Sequence, residues 1–435
     1  MRTRLGGTMR RTFSSLKVPN YRLYFAGQSV SVIGTWMQMT AQAWLVLTLT
    51  HSAADLGFIV ALQTIPVLLL SPYGGVVADR VDKRRMMVFL QSLMALQALV
   101  LGLLTVLHDV TFTEVGVLAV VLGLNNAFEF PSRQAFVREM VGGDHVRNAI
   151  TLNSVMANLA RAVGPAIAGI LIATIGDGVC FLANAGSFVA VVTSLLVMDR
   201  STLRPAPPAP RAKGQLREGL AYARRTPEIA VPLLMMSVVG MLAYEFQVSL
   251  PVLAQHTFHG GSEAYGFMSA CMGIGAVLGG LVTAAKGRVG LRPMVLSAGG
   301  FGVTLLAVGL APVLVAVYGA LLLVGWASVS FISIGNSTIQ LSAAPSMRGR
   351  TLSLWQVAFQ GTTPIGGPLI GWVITESDPR VGIMVGAASA LLAAAGGAWL
   401  ARHRHHLERQ PLADVDVIDV IDVIDAPTTQ GTATA

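Results

Sequence analysis

Three charged side chains lie inside long apolar stretches of the sequence: Glu129, Arg161 and Glu245. Each would cost about 3 kcal/mol at the centre of a bilayer on insertion scales, so residues of this kind usually mark a path for a substrate or an ion. Arg161 falls about 12 residues, or roughly 18 Å, into its stretch at 1.5 Å per residue, near a midplane. There it can pair with a carbonyl or carboxylate, or face a cavity. Glu129 stands four residues before Arg133 on one helix face, so an ion-pair cluster and proton binding both fit it. Glu245 has no neighbouring base in the sequence. A carboxyl buried there can bind a proton reversibly, or it can reach outward to the headgroups. Asp55, in Ser52-Ala-Ala-Asp55, reads as a helix cap instead.

Polar side chains recur at helical spacing. Gln28, Ser31, Thr35, Gln38 and Gln42 form one continuous face, and Ser330, Ser333, Ser337 and Gln340 form another with Asn336 beside it. Faces turned to lipid would carry Leu, Val and Ile, so these look inward, either lining a cavity or bonding neighbouring helices. The candidate cavity set is Gln28, Thr35, Gln38, Gln42, Tyr244, Ser333 and Asn336. Trp36, Met37, Met39, Met241, Phe246, Trp326 and Trp355 add apolar and aromatic surface, which suits a large amphipathic ligand better than a sugar.

These residues need elements long enough to carry them through a membrane. Of 435 residues, 53% are hydrophobic and 12% are charged, about half the usual charged share. The charges are absent for 20 or so residues at a time and then cluster, which excludes a soluble globular enzyme, a disordered chain and a disulfide scaffold. Apolar spans are expected at 23–50, 55–78, 86–107, 113–132, 149–175 and 179–198, and again at 229–254, 263–285, 293–311, 313–338, 351–374 and 380–401. With this arrangement every Lys and Arg except Arg161 and Arg380 falls on one side. The positive-inside rule then makes the span number even and both termini cytoplasmic.

Domain boundaries follow from the same pattern: a basic N-terminus over 1–22, a first six-helix bundle over 23–198, a connector over 199–228, a second bundle over 229–401, and a tail over 402–435. The connector contains Pro-rich sequence from Arg204 to Pro210 and then a basic amphipathic helix suited to the anionic inner leaflet. The acidic Asp/Val/Ile repeat of the tail is read as disordered. The two bundles echo each other. Arg147, Gly164, Pro165 and Ile167 recur 203 residues later as Arg350, Gly367, Pro368 and Ile370, and Leu56-Gly57-Phe58 echoes Tyr265-Gly266-Phe267. Duplication of this kind suits two halves rocking about a midplane site.

Other chemistry finds little support. No nucleotide-binding Gly-x-x-x-x-Gly-Lys-Ser/Thr run is present. Arg402-His-Arg-His-His406 reads as a juxtamembrane anchor, because the arginines repel a cation, and no metal site is expected. Cys180 and Cys271 read as buried apolar residues.

The loop Gly75-Val-Val-Ala-Asp79-Arg80-Val-Asp82-Lys83-Arg84-Arg85 carries a resemblance. It is similar to the signature loop of the major facilitator superfamily, with Asp82 where many members have Gly. Together with Trp36, Trp44, Thr50-His-Ser52 and Pro66, it resembles the branch of enterobactin-type siderophore exporters and macrolide or drug efflux proteins. Gly164-Pro165-Ala166-Ile167-Ala168-Gly169 likewise resembles the antiporter motif, with alanine where glycine is usual at Ala168 and Ala160. The resemblance spans about residues 17–402. It implies an all-α polytopic membrane protein of twelve transmembrane helices in two six-helix repeats, with spans 1, 4, 7 and 10 around a central cavity. It also implies a conformational gate of Gly75, Asp79, Arg80, Lys83, Arg84 and Arg133, in which Gly75 permits a close helix approach and Asp79 pairs with basic residues when the inner side closes.

The expected function is secondary active export of a drug-like or siderophore-like small molecule by alternating access. The energy source would be a proton gradient, with Glu129, Arg161 and Glu245 as coupling or cavity charges and no cofactor. The expected partners are that small molecule and the lipid bilayer, with no nucleic acid, for a monomer in the cell membrane. A non-transporting membrane binding or assembly factor and an uptake transporter of the same fold are the alternatives. No catalytic residue is expected.

Overall fold

The computed structural model describes residues 14–204, 215–345 and 347–407. The start of the basic N-terminus, the Pro-rich connector and the acidic tail lie outside the described residues. Among the described residues all regular structure is helical. The first half contains α1 (Pro19–Thr50), α2 (Ala53–Arg80), α3 (Lys83–Val106), α4 (Phe112–Gly143), α5 (Asn148–Thr174) and α6 (Asp177–Val197). The connector supplies α7 (Gln215–Arg225), with its strongly polar face. The second half contains α8 (Pro227–Leu242), α9 (Phe246–Val252), α10 (Ser262–Lys286), α11 (Leu291–Leu310), α12 (Leu314–Ser342), α13 (Arg348–Gln360), α14 (Thr363–Glu376) and α15 (Pro379–Leu407).

Among the described residues ten segments are long and apolar enough to cross a membrane. The two others expected from sequence fail that measure for different reasons. Helix α1 has the length, at 32 residues, but its glutamines, serines and threonines lower its mean hydropathy. The stretch 351–374 is broken into α13 and α14. Pro364 has no N–H to bond the Gln360 carbonyl, so one helix stops at Gln360 and the next restarts at Thr363 with Pro364 in its first turn. The expected span 229–254 breaks too. Ala243, Tyr244 and Glu245 separate α8 from α9, and Pro251 removes the bond to the Gln247 carbonyl one turn further on.

Several boundaries shift. The first helix begins at Pro19 rather than 23, with Pro19 at a position where no N–H is needed. The last runs on to Leu407, so the tail expected from 402 begins with helix. α4 and α5 run almost continuously and bend at Gly142, whose φ of 66° is one that L side chains rarely adopt. Helix α2 opens with Ser52 accepting from the Asp55 N–H, the cap expected from sequence.

Two seams join the halves. In one, α2 lies on α14: a Cβ on Gly57 would collide with the Gly367 carbonyl, and one on Gly371 with the Ala53 carbonyl. In the other, α5 lies on α10, where a Cβ on Gly266 would come 2.6 Å from the Pro165 carbonyl oxygen. The echoing residues of the sequence therefore take equivalent places at the two seams: Gly57 faces Gly367 and Pro368, while Gly266 faces Pro165. Hydrogen bonds cross both seams at the His51 end of the bundle. The Ala54 N–H donates to Thr375 Oγ1 at 3.1 Å, and Ser262 Oγ donates to the Gly169 carbonyl at 3.2 Å.

At the Arg80 end the polar ties stay within one half. Lys83 pairs with Glu139 at 2.7 Å, both nearly buried. Arg84 donates to the carbonyls of Leu195 (2.6 Å) and Leu196 (2.9 Å), closing the C-terminus of α6. In the second half Arg350 pairs with Glu218 of α7 at 2.8 Å, and Tyr222 of α7 accepts the Ala344 N–H. Among the described residues, then, hydrogen bonds tie the two halves at the His51 end, the joined end, and none does so at the Arg80 end, the divided end.

Candidate functional site

Between the seams lies a cavity of about 160 Å³. Trp36, Met39 and Thr40 come to it from α1, Arg161 and Pro165 from α5, and Tyr244 from the α8–α9 break. Phe246 and Gln247 follow on α9, Tyr265, Ser269 and Met272 on α10, Ser328 and Ile332 on α12, and Phe359 on α13. Both halves thus line one space. The ring of Tyr244 sits 5.2 Å from Phe359 and 5.1 Å from Phe301, and its hydroxyl donates to the Ser328 carbonyl at 2.9 Å. Trp44 and Tyr265 stack at 6.5 Å across the α1–α10 contact, toward the joined end. Aromatic faces with few polar groups make this a site for an apolar or amphipathic molecule.

Arg161 projects into this space with its guanidinium carbon 4.9 Å from the centre of the Trp36 ring. Gly164 explains how it gets there. A Cβ at that position would come 2.6 Å from Trp36 Cβ and 2.8 Å from the Ile33 carbonyl oxygen, so α5 and α1 touch backbone to backbone. Pro165 and Gly169 then form the α10 seam. The antiporter-like segment Gly164, Pro165 and Gly169 is, in this structure, the surface on which α5 meets α1 on one side and α10 on the other.

The polar stripe of α1 faces elsewhere. Gln38 donates to Gln97 Oε1 at 3.1 Å and accepts from Asn184 at 2.7 Å, tying α1 to α3 and α6. Gln42 reaches Gln63 of α2 at 3.5 Å. Gln28 is buried inside the first half, and Thr35 bonds back to the Ser31 carbonyl. Ser333 and Asn336 are also absent from the cavity wall, and Asn336 accepts from Gln340 on its own helix. Of the seven expected cavity residues, Tyr244 alone lines the space. A helix inside a bundle has several inward faces, and the glutamines of α1 occupy the one turned to its own half. The cavity takes the neighbouring face of Trp36, Met39 and Thr40. Trp326 is partly exposed, and Trp355 is buried against Gly335.

The other charges differ in setting. Glu129 is paired with Arg133 at 2.9 Å and accepts from Gln91 at 3.4 Å. That is the ion-pair alternative, within the first half. Glu245 is 4% exposed, and its Oε1 has no hydrogen-bond partner. It stands at the α8–α9 break opposite the α13–α14 break, where Thr363 hydrogen-bonds the carboxyl and Gly366 gives it room: a Cβ there would lie 2.8 Å from Oε1. Discontinuous helices also build the substrate and ion sites of many transporters. No residue near Glu245 in the sequence announces this setting, and the prolines at 251 and 364 were the available signal for the two breaks.

The expected gate is only partly assembled. Gly75 has open space around its Cβ position, and the close approach falls one residue earlier, where a Cβ on Gly74 would collide with the Ala127 carbonyl. Lys83, Arg84 and Arg133 are held by Glu139, by the α6 carbonyls and by Glu129, and Arg80 is exposed. The side chain of Asp79 lies outside the described residues.

With this geometry in hand, the comparisons with known proteins define a class. The fold is that of solved membrane transporters. The nucleoside transporter NupG superposes with a TM-score of 0.71 at 13% identity, covering 87% of this chain and 98% of its own. A bacterial homolog of the human lysosomal transporter Spinster, in an inward-facing and unoccupied conformation, gives 0.67 at 15%, covering 88% and 97%. The sequence model of the MFS_3 family, the transmembrane secretion effectors, matches residues 10–420, and the chain belongs to that family.

Among relatives, the staphyloferrin A transporter of Staphylococcus aureus is 26% identical over 80% of this chain and 88% of its own length. The multidrug efflux pump Tap of Mycolicibacterium fortuitum is 26% identical over 78% and 85%. The enterobactin exporter EntS of Escherichia coli is 25% identical over 81% and 85%. The protein is a multi-pass membrane transporter of the cell membrane, in bacteria the inner one, and not an enzyme.

Proposed function

We propose that the chain exports an amphipathic small molecule of siderophore-like or drug-like character by alternating access, driven by proton exchange. The observation that carries this reading is the central cavity, walled by both halves and lying between seams whose hydrogen bonds, among the described residues, fall at the His51 end. Twelve spans with both termini cytoplasmic complete the picture: the ten apolar segments, α1, and the α13–α14 pair in place of one continuous helix. The one-sided distribution of Lys and Arg supports that orientation and makes the divided end the cytoplasmic one. In this state the cavity is reached from inside, as loading of an exporter requires. Asp79 and the basic loop around it then act at the opposite step, when the divided end closes. The two halves, 23–198 and 229–401, move as bodies about the connector, and the protein works as a monomer. Siderophore and drug relatives support the export direction.

A deletion strain and its complemented parent should be loaded with a panel of siderophores and hydrophobic antibiotics. For at least one compound the complemented cells should hold several-fold less, and an uncoupler should erase the difference. Uncoupler-sensitive accumulation above the deletion strain would mean uptake. A difference that survives the uncoupler would support a binding or assembly factor.

A further inference from the structure

The protein satisfies its other deeply placed cations. Lys83 has Glu139, Arg133 has Glu129, and Arg84 has two carbonyls. Arg161 has none of these. Among the described residues it makes no hydrogen bond and no ion pair, its Nε is fully buried without a partner, and no Asp or Glu lines the cavity it enters. A desolvated cation left unmatched is unfavourable unless something supplies the missing acceptor. Among the described residues the face of Trp36 lies over Arg161 at 4.9 Å, with Tyr244 also near. A ring face is not a hydrogen-bond acceptor of the carbonyl or carboxylate kind, so the N–H donors keep no such acceptor among the described residues. The fork therefore stays available to an incoming acceptor, with the rings of Tyr244, Phe246 and Phe359 as the opposing apolar wall.

We propose that Arg161 is an anion subsite, and that the cavity selects organic acids: molecules with a carboxylate or similar planar anion joined to an aromatic or apolar body. The fork of Arg161 takes the anion by paired N–H···O bonds, a match that a compact ammonium cannot reproduce. The aromatic wall takes the body. This rests on the cavity being the substrate site of the proposed transporter and names the class of molecule it accepts.

The test uses two probes of nearly equal shape, 2-naphthoate and 2-naphthamide, titrated into the full chain in nanodiscs of neutral phosphatidylcholine, so that anionic headgroups do not compete. The wild-type protein should bind the acid about tenfold or more tightly than the amide, as expected of hydrogen bonds to charged groups. Arg161→Gln should bring the acid down to the level of the amide and weaken the amide far less than the acid. Arg161→Lys should fall between them.

A wild-type protein that does not discriminate the two probes would overturn the proposal, and that comparison needs no variant to fold. Equal losses of both probes in Arg161→Gln would also overturn it, because they would make Arg161 a structural residue. The transport reading is judged separately in proteoliposomes under an imposed pH gradient. Selective acid binding with no movement of the acid or of any panel compound would sink that reading and leave the anion subsite standing.

Discussion

Glu245→Gln should strongly lower proton-driven extrusion while leaving substrate binding nearly intact. Glutamine keeps the shape of the carboxyl and one hydrogen-bonding oxygen, so Thr363 and the gap at Gly366 remain filled. What it removes is the ability to take up and release a proton. The side chain is 4% exposed, one of its oxygens has no partner, and no cation pairs with it among the described residues. It also stands where two broken helices meet, so a change in its charge acts on both breaks at once. If protonation biases one conformation, loss of that bias should lower extrusion by about 5–150-fold, the range of ordinary coupling free energies. The pH dependence should flatten with it. Extrusion measured against external pH in cells expressing matched amounts of each protein checks this. Normal extrusion with an unchanged pH response would remove Glu245 as the carrier, and the role would pass to Glu129, the other carboxyl expected inside a span.

Gly57→Leu should prevent the His51 end from joining. The glycine sits where α2 and α14 touch backbone to backbone, and even a methyl group there would collide with the Gly367 carbonyl. Overpacking of a tight contact costs about 1–3 kcal/mol. Here the strain is relieved when the seam opens, so it shifts the population toward the state closed at the other end rather than unfolding the protein. Transport should fall by about tenfold or more, since a cycle cannot turn without passing through both states. Thr40→Cys, in the cavity wall, should gain reactivity toward an impermeant maleimide added outside intact cells. Unaltered transport in a normally expressed Gly57→Leu protein would show that the seam need not close.

Much of this was legible in the residues. Long apolar runs and the clustering of Lys and Arg located ten membrane segments, and Gly57, Gly266, Pro165 and Pro368, noted in the sequence only as echoes, lie at the seams. Arg161, for which pairing and a cavity role were both open, and Tyr244 line one space in the structure. The polar stripe of α1 misled for a physical reason. Periodicity shows that a face is turned inward, yet it does not distinguish the interior of one half from the space between halves. Gln38 is satisfied by Gln97 and Asn184, which lie 59 and 146 residues away, and no local pattern announces such partners. Gly75 and Gly74 differ by one step of about 100° around the helix, enough to exchange open space for a backbone contact. The helix breaks had a signal in Pro251 and Pro364, but proline in a membrane helix is often accommodated without a break.

Alternating access is the claim on which the rest depends, and distances at the two ends test it without knowledge of the substrate. Spin labels at Val81→Cys and Ser353→Cys report the divided end, and labels at His51→Cys and Ser377→Cys report the joined end, with Cys180 and Cys271 replaced. Double electron–electron resonance should be recorded in nanodiscs at mildly acidic and mildly alkaline pH, and again in the Gly57→Leu background. The account predicts two populations for each pair and opposite shifts: where the His51–Ser377 distance lengthens, the Val81–Ser353 distance shortens, most strongly in Gly57→Leu. Single, unchanging distances at both ends under every condition would contradict it.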